Sequence, residues 1–163
     1  MAQRPRIGRR ELEREVADSR CCARPGVGQA LDLDDSMLDV ARAHAPELPW
    51  FRADLAQFDP ALLGIAADFD LVLAAGNVLP LLAAGTEVAV VKRLAGVLRP
   101  GGLLVAGFGL DAAHLPVPPG ITLAEYDESC AAVGLALVGR FATWDADAYD
   151  GGGYAVSVHR ASA

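Results

Sequence analysis

Phe69-Asp-Leu-Val-Leu-Ala-Ala75 is an almost continuous apolar run, and a run of that kind leaves few folds open. It suits a strand covered on both faces, and such strands belong to parallel sheets packed against helices. Short apolar runs alternate with helical patterns on either side of it, as in α/β proteins. Gly28 to Leu33 reads as a strand ending in acids. Asp34 and Asp35 supply side-chain oxygens for the free amides of a following helix, whose apolar stripe is Met37, Val40, Ala41 and His44. Pro46 and Pro49 close that helix, and Trp50 to Asp54 is a second short strand.

Beyond the apolar run, Thr86 is placed to cap a helix with the inner face Val90, Val91, Leu94 and Leu98. It stops at Arg99-Pro-Gly-Gly102, since proline cannot continue a helix and glycine supplies positive φ. Leu103 to Leu110 is another buried strand. Thr122-Leu-Ala-Glu125 is a capping box opening a helix to Gly134. Leu135–Trp144 and Gly153–His159 read as strands joined by an Asp- and Gly-rich turn, hence an antiparallel hairpin at the end of the sheet. Residues 1–27 do not follow this rhythm; Arg9 to Arg20 suits a short charged helix with only Leu12 and Val16 apolar. The expected organisation is an atypical Arg-rich segment, 1–27, and one α/β domain, 28–163.

Composition excludes several classes. With 53% apolar and 21% charged residues over 163 positions, disorder and a coiled coil are ruled out. Leu71–Thr86 carries no charge but is interrupted by Gly76, Asn77, Pro80 and Gly85, and it falls short of the roughly 20 residues of a membrane span. The net charge of −7 is uneven: residues 1–24 hold seven arginines against four acids, leaving an acidic remainder that repels phosphate backbones, so nucleic acid is not an expected partner. Glu11, Glu13, Glu15 and Asp18 argue against a transit peptide. Cys21, Cys22 and Cys130 make neither a disulfide framework nor a zinc site, so a reducing cytoplasm and no metal are expected.

Three patterns in fixed order carry the chemistry. In Ala30-Leu-Asp-Leu-Asp-Asp-Ser-Met-Leu38, Asp32 sits at a strand exit, where open α/β sheets bind ligands and where a carboxylate can accept both hydroxyls of a ribose. In Arg52-Ala-Asp54, the acid at the next exit is placed to accept from the exocyclic amine of a purine, or is a plain loop acid. After Phe69-Asp-Leu-Val72 come Gly76, permitting close backbone approach, and Asn77, whose amide offers a donor and an acceptor. His44 and His159 read as surface or packing residues and Cys130 as a small core residue.

These segments, with Leu98-Arg-Pro-Gly-Gly-Leu-Leu104 and the tail Tyr149–Arg160, resemble the class I S-adenosylmethionine-dependent methyltransferases over residues 28–160. The resemblance implies a Rossmann-like, mostly parallel sheet with helices on both faces and an antiparallel C-terminal hairpin. It also implies S-adenosylmethionine as cofactor, with Asp32 on the ribose and Leu33 and Met37 near the adenine. Asp54 and Leu55 would meet the adenine edge, and Ala75, Gly76 and Asn77 the methionyl arm and the acceptor. Family members place a strand, a G-x-G-x-G loop and a helix before the ribose acid; here nothing of that kind precedes Asp32, so this first unit is missing or replaced. Its strand would lie between the Asp32 and Phe69 strands. A truncated or out-of-frame start would produce such a chain, and weak cofactor binding is the expectation.

Methyl transfer from a sulfonium needs alignment more than an acid–base triad. For an acceptor with a proton to lose, His114 and Tyr149 are the candidate catalytic residues, and a small organic acceptor is expected since no basic groove serves a macromolecule. Three other readings compete. A response-regulator receiver fits Leu33-Asp-Asp35 but lacks an aspartate at Ala74 or Ala75 and a lysine at a strand end. A nicotinamide-binding Rossmann domain also needs the glycine loop. The third is a non-catalytic remnant of the methyltransferase fold.

Overall fold

The computed structural model describes residues 28–65, 67–115 and 117–162. The helix expected over Arg9–Arg20 and the character of residues 1–27 lie outside them. Six strands and three α-helices follow in the order β1 (Ala30–Asp32), α1 (Asp35–His44), β2 (Trp50–Arg52), β3 (Phe69–Ala74), α2 (Glu87–Gly96), β4 (Leu98–Gly109), α3 (Leu123–Ala132), β5 (Leu135–Phe141) and β6 (Tyr154–Ala161), with one 3-10 turn at Leu79–Leu81. None of these helices is long and apolar enough to cross a membrane.

The strands form two sheets. β1 and β2 pair in parallel, Ala30 beside Trp50 and Asp32 beside Arg52. The other four run β3-β4-β6-β5, with β3 and β4 parallel and β6 antiparallel to both neighbours. The C-terminal hairpin expected from the sequence is present, its second strand lying inside and its first at the edge. Among the described residues no strand bridges β1 and β3, so each keeps one unpaired edge. The small sheet is held through side chains instead: Leu31, Ala53, Leu55 and Ala56 pack against the main core. Arg93 of α2 donates from Nε to the Phe58 carbonyl (3.1 Å).

Alternation along β4 builds both faces. Leu104, Ala106 and Phe108 face α2 and α3, meeting Val90, Val91, Leu94, Tyr126 and Cys130. Leu103 and Val105 face the other way with Val156 and Val158. Both helices of the larger sheet thus lie on one of its faces. Cys130 is fully buried in the core, as expected, and burial pushes its thiol up to about 12, which keeps it protonated.

Local sequence explains several boundaries, and the structure corrects others. Asp34 caps α1, its Oδ1 accepting from the Ser36 and Met37 amides at 2.7 and 3.4 Å, whereas Asp35 turns away to pair with Arg52 of β2. The buried residue of α1 is Leu38, with Ala41 half-buried behind it; Met37 and Val40 are exposed, so the expected stripe is rotated. Leu38 and Ala41, at i and i+3, face the packed side. Thr86 precedes α2 without capping it: its hydroxyl donates to the Ala83 carbonyl (2.6 Å). The Thr122–Glu125 capping box is complete in both directions.

Arg99-Pro-Gly-Gly102 is not a helix stop. α2 ends earlier, at Gly96, and the four residues bulge out of β4, where Phe69 pairs with Leu98 but Leu71 with Leu103. Gly101 takes φ 77°, and a Cβ on Gly102 would lie 2.9 Å from the Phe69 carbonyl oxygen. Gly102→Ala is expected to destabilise the fold by about 1–3 kcal/mol through this clash. Gly96→Ala, where added bulk meets nothing within 4 Å, should be neutral or stabilising by up to about 1 kcal/mol. Urea denaturation checks the pair, and equal effects would contradict the account.

His159 is 1% exposed. It packs against Tyr126 (5.0 Å, edge-on), and its Nε2 lies 3.2 Å from Asp127, which also accepts from Arg140 at 2.6 Å. Burial holds the imidazole below its ordinary range against the opposing pull of Asp127. The folded state therefore resists a proton that the unfolded chain accepts near pH 6.5, so this stability is complete above about 6.5 and lost as pH falls. Urea midpoints at about pH 7.5 and 5.5 should drop for the wild type and drop less for His159→Leu. Identical drops would refute the assignment.

Candidate functional site

The carboxyl ends of β1, β2, β3 and β4 carry the sequence-predicted residues except Tyr149, which lies between β5 and β6. Asp32 closes β1, exposed; its Oδ1 accepts from the Asp34 amide (2.8 Å), and its second oxygen has no partner among the described residues. Leu33 and Met37 beside it are each 57% exposed. Two large apolar side chains next to a half-free carboxylate make a surface able to hold a flat base against the first and a sugar hydroxyl on the second. Hydrogen bonds from Ser36, first its hydroxyl and then its amide, hold the neighbouring Asp34 carboxyl below the usual range, so this corner stays anionic.

Asp54 is differently placed. Its Oδ1 accepts from the Ala56 amide (2.8 Å) and its Oδ2 from Gln57 Nε2 (3.0 Å), so the carboxylate organises the turn after β2. Leu55 is half-buried against the core.

The exit of β3 is the tightest part of the site. Gly76 and Asn77 both lie in the left-handed region, φ 79° and 66°. Asn77 is held there by two bonds: its Oδ1 accepts from the Gly109 amide at the end of β4 (2.7 Å), and its Nδ2 donates to the His114 carbonyl (3.3 Å). The amide expected to serve a ligand is thus spent inside the chain. Ala75 and Gly76 remain exposed, and a Cβ at Gly76 would meet nothing within 4 Å, so a ligand can approach this backbone.

Asn77 also fixes the loop that carries His114. His114 Nδ1 lies 2.7 Å from Asp111 Oδ1, its ring sits 6.0 Å from Tyr154 of β6, and Tyr154 Oη accepts from Trp144 Nε1 (3.0 Å). The hydrogen bond with His114 holds the Asp111 carboxyl below its usual range. Tyr149 does not join this group; its hydroxyl donates to the Gly152 carbonyl (3.3 Å). Asp111, Trp144 and Tyr154 escaped the sequence reading. The available signal was the spacing Asp111-x-x-His114 beside the glycines at 107 and 109. Among the described residues no cluster of His, Cys, Asp and Glu could hold a metal ion.

The fold occurs in solved structures. A TehB-like SAM-dependent methyltransferase from Corynebacterium glutamicum superposes with a TM-score of 0.69 at 29% identity, over 80% of this chain and 66% of that one. The CcbJ methyltransferase from Streptomyces caelestis matches at a TM-score of 0.70 and 20% identity, over 98% and 91% of the two chains. CalS10, an amino pentose methyltransferase from Micromonospora echinaspora solved with SAM bound, matches at 0.61 and 20%, over 93% and 91%. The chain spans just under two thirds of the Corynebacterium protein's length. No family model and no curated protein sequence matches it. The chain has the fold of the class I S-adenosylmethionine-dependent methyltransferases.

Proposed function

We propose that the protein binds S-adenosylmethionine at the carboxyl ends of β1 and β3 and methylates a small-molecule acceptor. The observation that carries this reading is Asp32, whose free carboxylate oxygen stands beside exposed Leu33 and Met37. Asp32 accepts from the ribose, while Leu33 and Met37 flank the adenine. Asp54 and Leu55 border its edge, with Asp54 acting through the turn that it organises. Ala75, Gly76 and the backbone of Asn77 border the methionyl arm and the acceptor. The cofactor supplies a methyl group already activated on a sulfonium, so the chain's own task is to bind, orient and exclude water.

One observation favours a second reading, a non-catalytic remnant of the fold. The unpaired edges of β1 and β3 leave the methionine half of the cofactor without a backbone cradle among the described residues. This also argues for weak binding. The nucleoside half of the site is the part the residues fit.

Thermal unfolding with ligand separates the readings. For a dissociation constant of about 100 μM, S-adenosylhomocysteine at about 1 mM stabilises by roughly 1.4 kcal/mol, a rise in Tm of about 3–6 °C. NAD should give no rise, and Asp32→Ala should abolish the response to S-adenosylhomocysteine. Stabilisation by NAD alone would point to a nicotinamide site, and no stabilisation by any of these to a remnant.

A further inference from the structure

Gly107, Gly109 and Gly153 each border the group around His114. A Cβ on Gly107 would strike the Trp144 ring and come 2.8 Å from Tyr154 Oη. On Gly109 it would lie 2.7 Å from His114, and on Gly153 it would fall on the Asp111 carboxylate. Gly107 and Gly109 alternate with Phe108, which turns into the core against Tyr126 (5.5 Å). The end of β4 is therefore bare backbone on one side, and three side chains from different segments settle against it. Only glycine at three separate positions permits that convergence.

Resting on the methyl-transfer reading above, we propose that His114 is the general base of the reaction, that Asp111 positions it, and that the acceptor is a hydroxylated aromatic ring. Asp111 takes Nδ1 of the imidazole, and the ring is half-exposed, with no partner at Nε2 among the described residues. A carboxylate on one nitrogen fixes the tautomer and directs the other as acceptor. The titratable groups facing the ring are Asp111 of its own loop and Tyr154 of β6. Through its carbonyl, His114 is tied to Asn77, next to the Gly76 backbone on the proposed cofactor side.

The acceptor class follows from the wall beside the base. Trp144 is 37% exposed, and its Nε1 is spent on Tyr154. The two aromatic side chains offer apolar surface, which suits a planar ring over a sugar, and the Tyr154 hydroxyl keeps its own hydrogen to donate. A phenol ionises near pH 10, within reach of an imidazole assisted by bond formation, whereas an aliphatic hydroxyl is several powers of ten weaker as an acid. In the step, the phenolic oxygen bonds to the methyl carbon as the carbon–sulfur bond breaks. Its proton passes to His114 Nε2, and the sulfonium's positive charge is replaced by that of the imidazolium beside Asp111.

The test incubates the full chain with S-adenosylmethionine and three matched sets of acceptors, phenols, anilines and aliphatic alcohols, between about pH 5.5 and 9. Methylated products are read by mass spectrometry, and S-adenosylhomocysteine binding by calorimetry for every variant. Phenols should be methylated in preference. His114→Gln should lower kcat by about 100-fold or more with S-adenosylhomocysteine binding unchanged. Asp111→Asn should lower kcat with acceptor KM and S-adenosylhomocysteine binding unchanged, and Asp111→Glu, which keeps the carboxylate, should restore turnover, an outcome that a merely structural loop residue would not produce. Binding without methylation of any phenol, preference for anilines or alcohols, or wild-type turnover by His114→Gln and Asp111→Asn would overturn this proposal alone. Absence of S-adenosylhomocysteine binding to the wild type would overturn it together with the methyl-transfer reading.

Discussion

A single side-chain amide, that of Asn77, joins the parts of this molecule on which the proposed function depends. It stands at the exit of β3 in a left-handed conformation and binds the end of β4 with one atom and the 111–115 segment with the other. A non-glycine residue tolerates that backbone most readily as Asn, whose short polar group can bond nearby backbone. Because both bonds go to main chain, they fix the loop whatever its side chains do. The Asp111–His114 pair is thereby placed beside the Gly76 backbone, and the two halves of the proposed reaction, cofactor and acceptor, meet at one strand end.

The larger sheet and the smaller one are held by different physics. β3, β4, β6 and β5 share ladders of backbone hydrogen bonds, whereas β1 and β2 reach the core through Leu31, Ala53 and Leu55 and through the Arg93 bond to Phe58. Side-chain burial of this kind is worth a few kcal/mol at most per residue. The nucleoside corner around Asp32 rides on the less firmly tied sheet. This arrangement accounts for a proposed site whose residues suit the nucleoside half of S-adenosylmethionine better than the methionine half.

Much of this was legible in the sequence, where the signal was local. The capping box at Thr122, the apolar strand from Phe69 and the terminal hairpin each depend on residues close together in the chain. Asp34 as a cap was legible for the same reason. Where partners are distant, reading failed. Asn77 bonds residues 32 and 37 positions away, so its amide looked free for a ligand. Met37 and Val40 matched a helical stripe, yet Leu38 is the residue that is buried, because the position of the packed neighbour, not the period alone, sets the inward face. Arg99–Gly102 carries the composition of a helix stop and forms a bulge, since Pro100 and the glycines serve either purpose. Asp111 was missed although its spacing to His114 is local, because the same spacing fits a plain loop acid and only the fold brings the two side chains to 2.7 Å.

Backbone amide chemical shifts followed during titration with S-adenosylhomocysteine would judge the nucleoside placement. Shifts concentrated at Leu33, Met37 and Gly76, and lost with Asp32→Ala, are the expected result. Shifts confined to other segments, or an unchanged spectrum at millimolar ligand, would contradict the placement of the cofactor at the ends of β1 and β3.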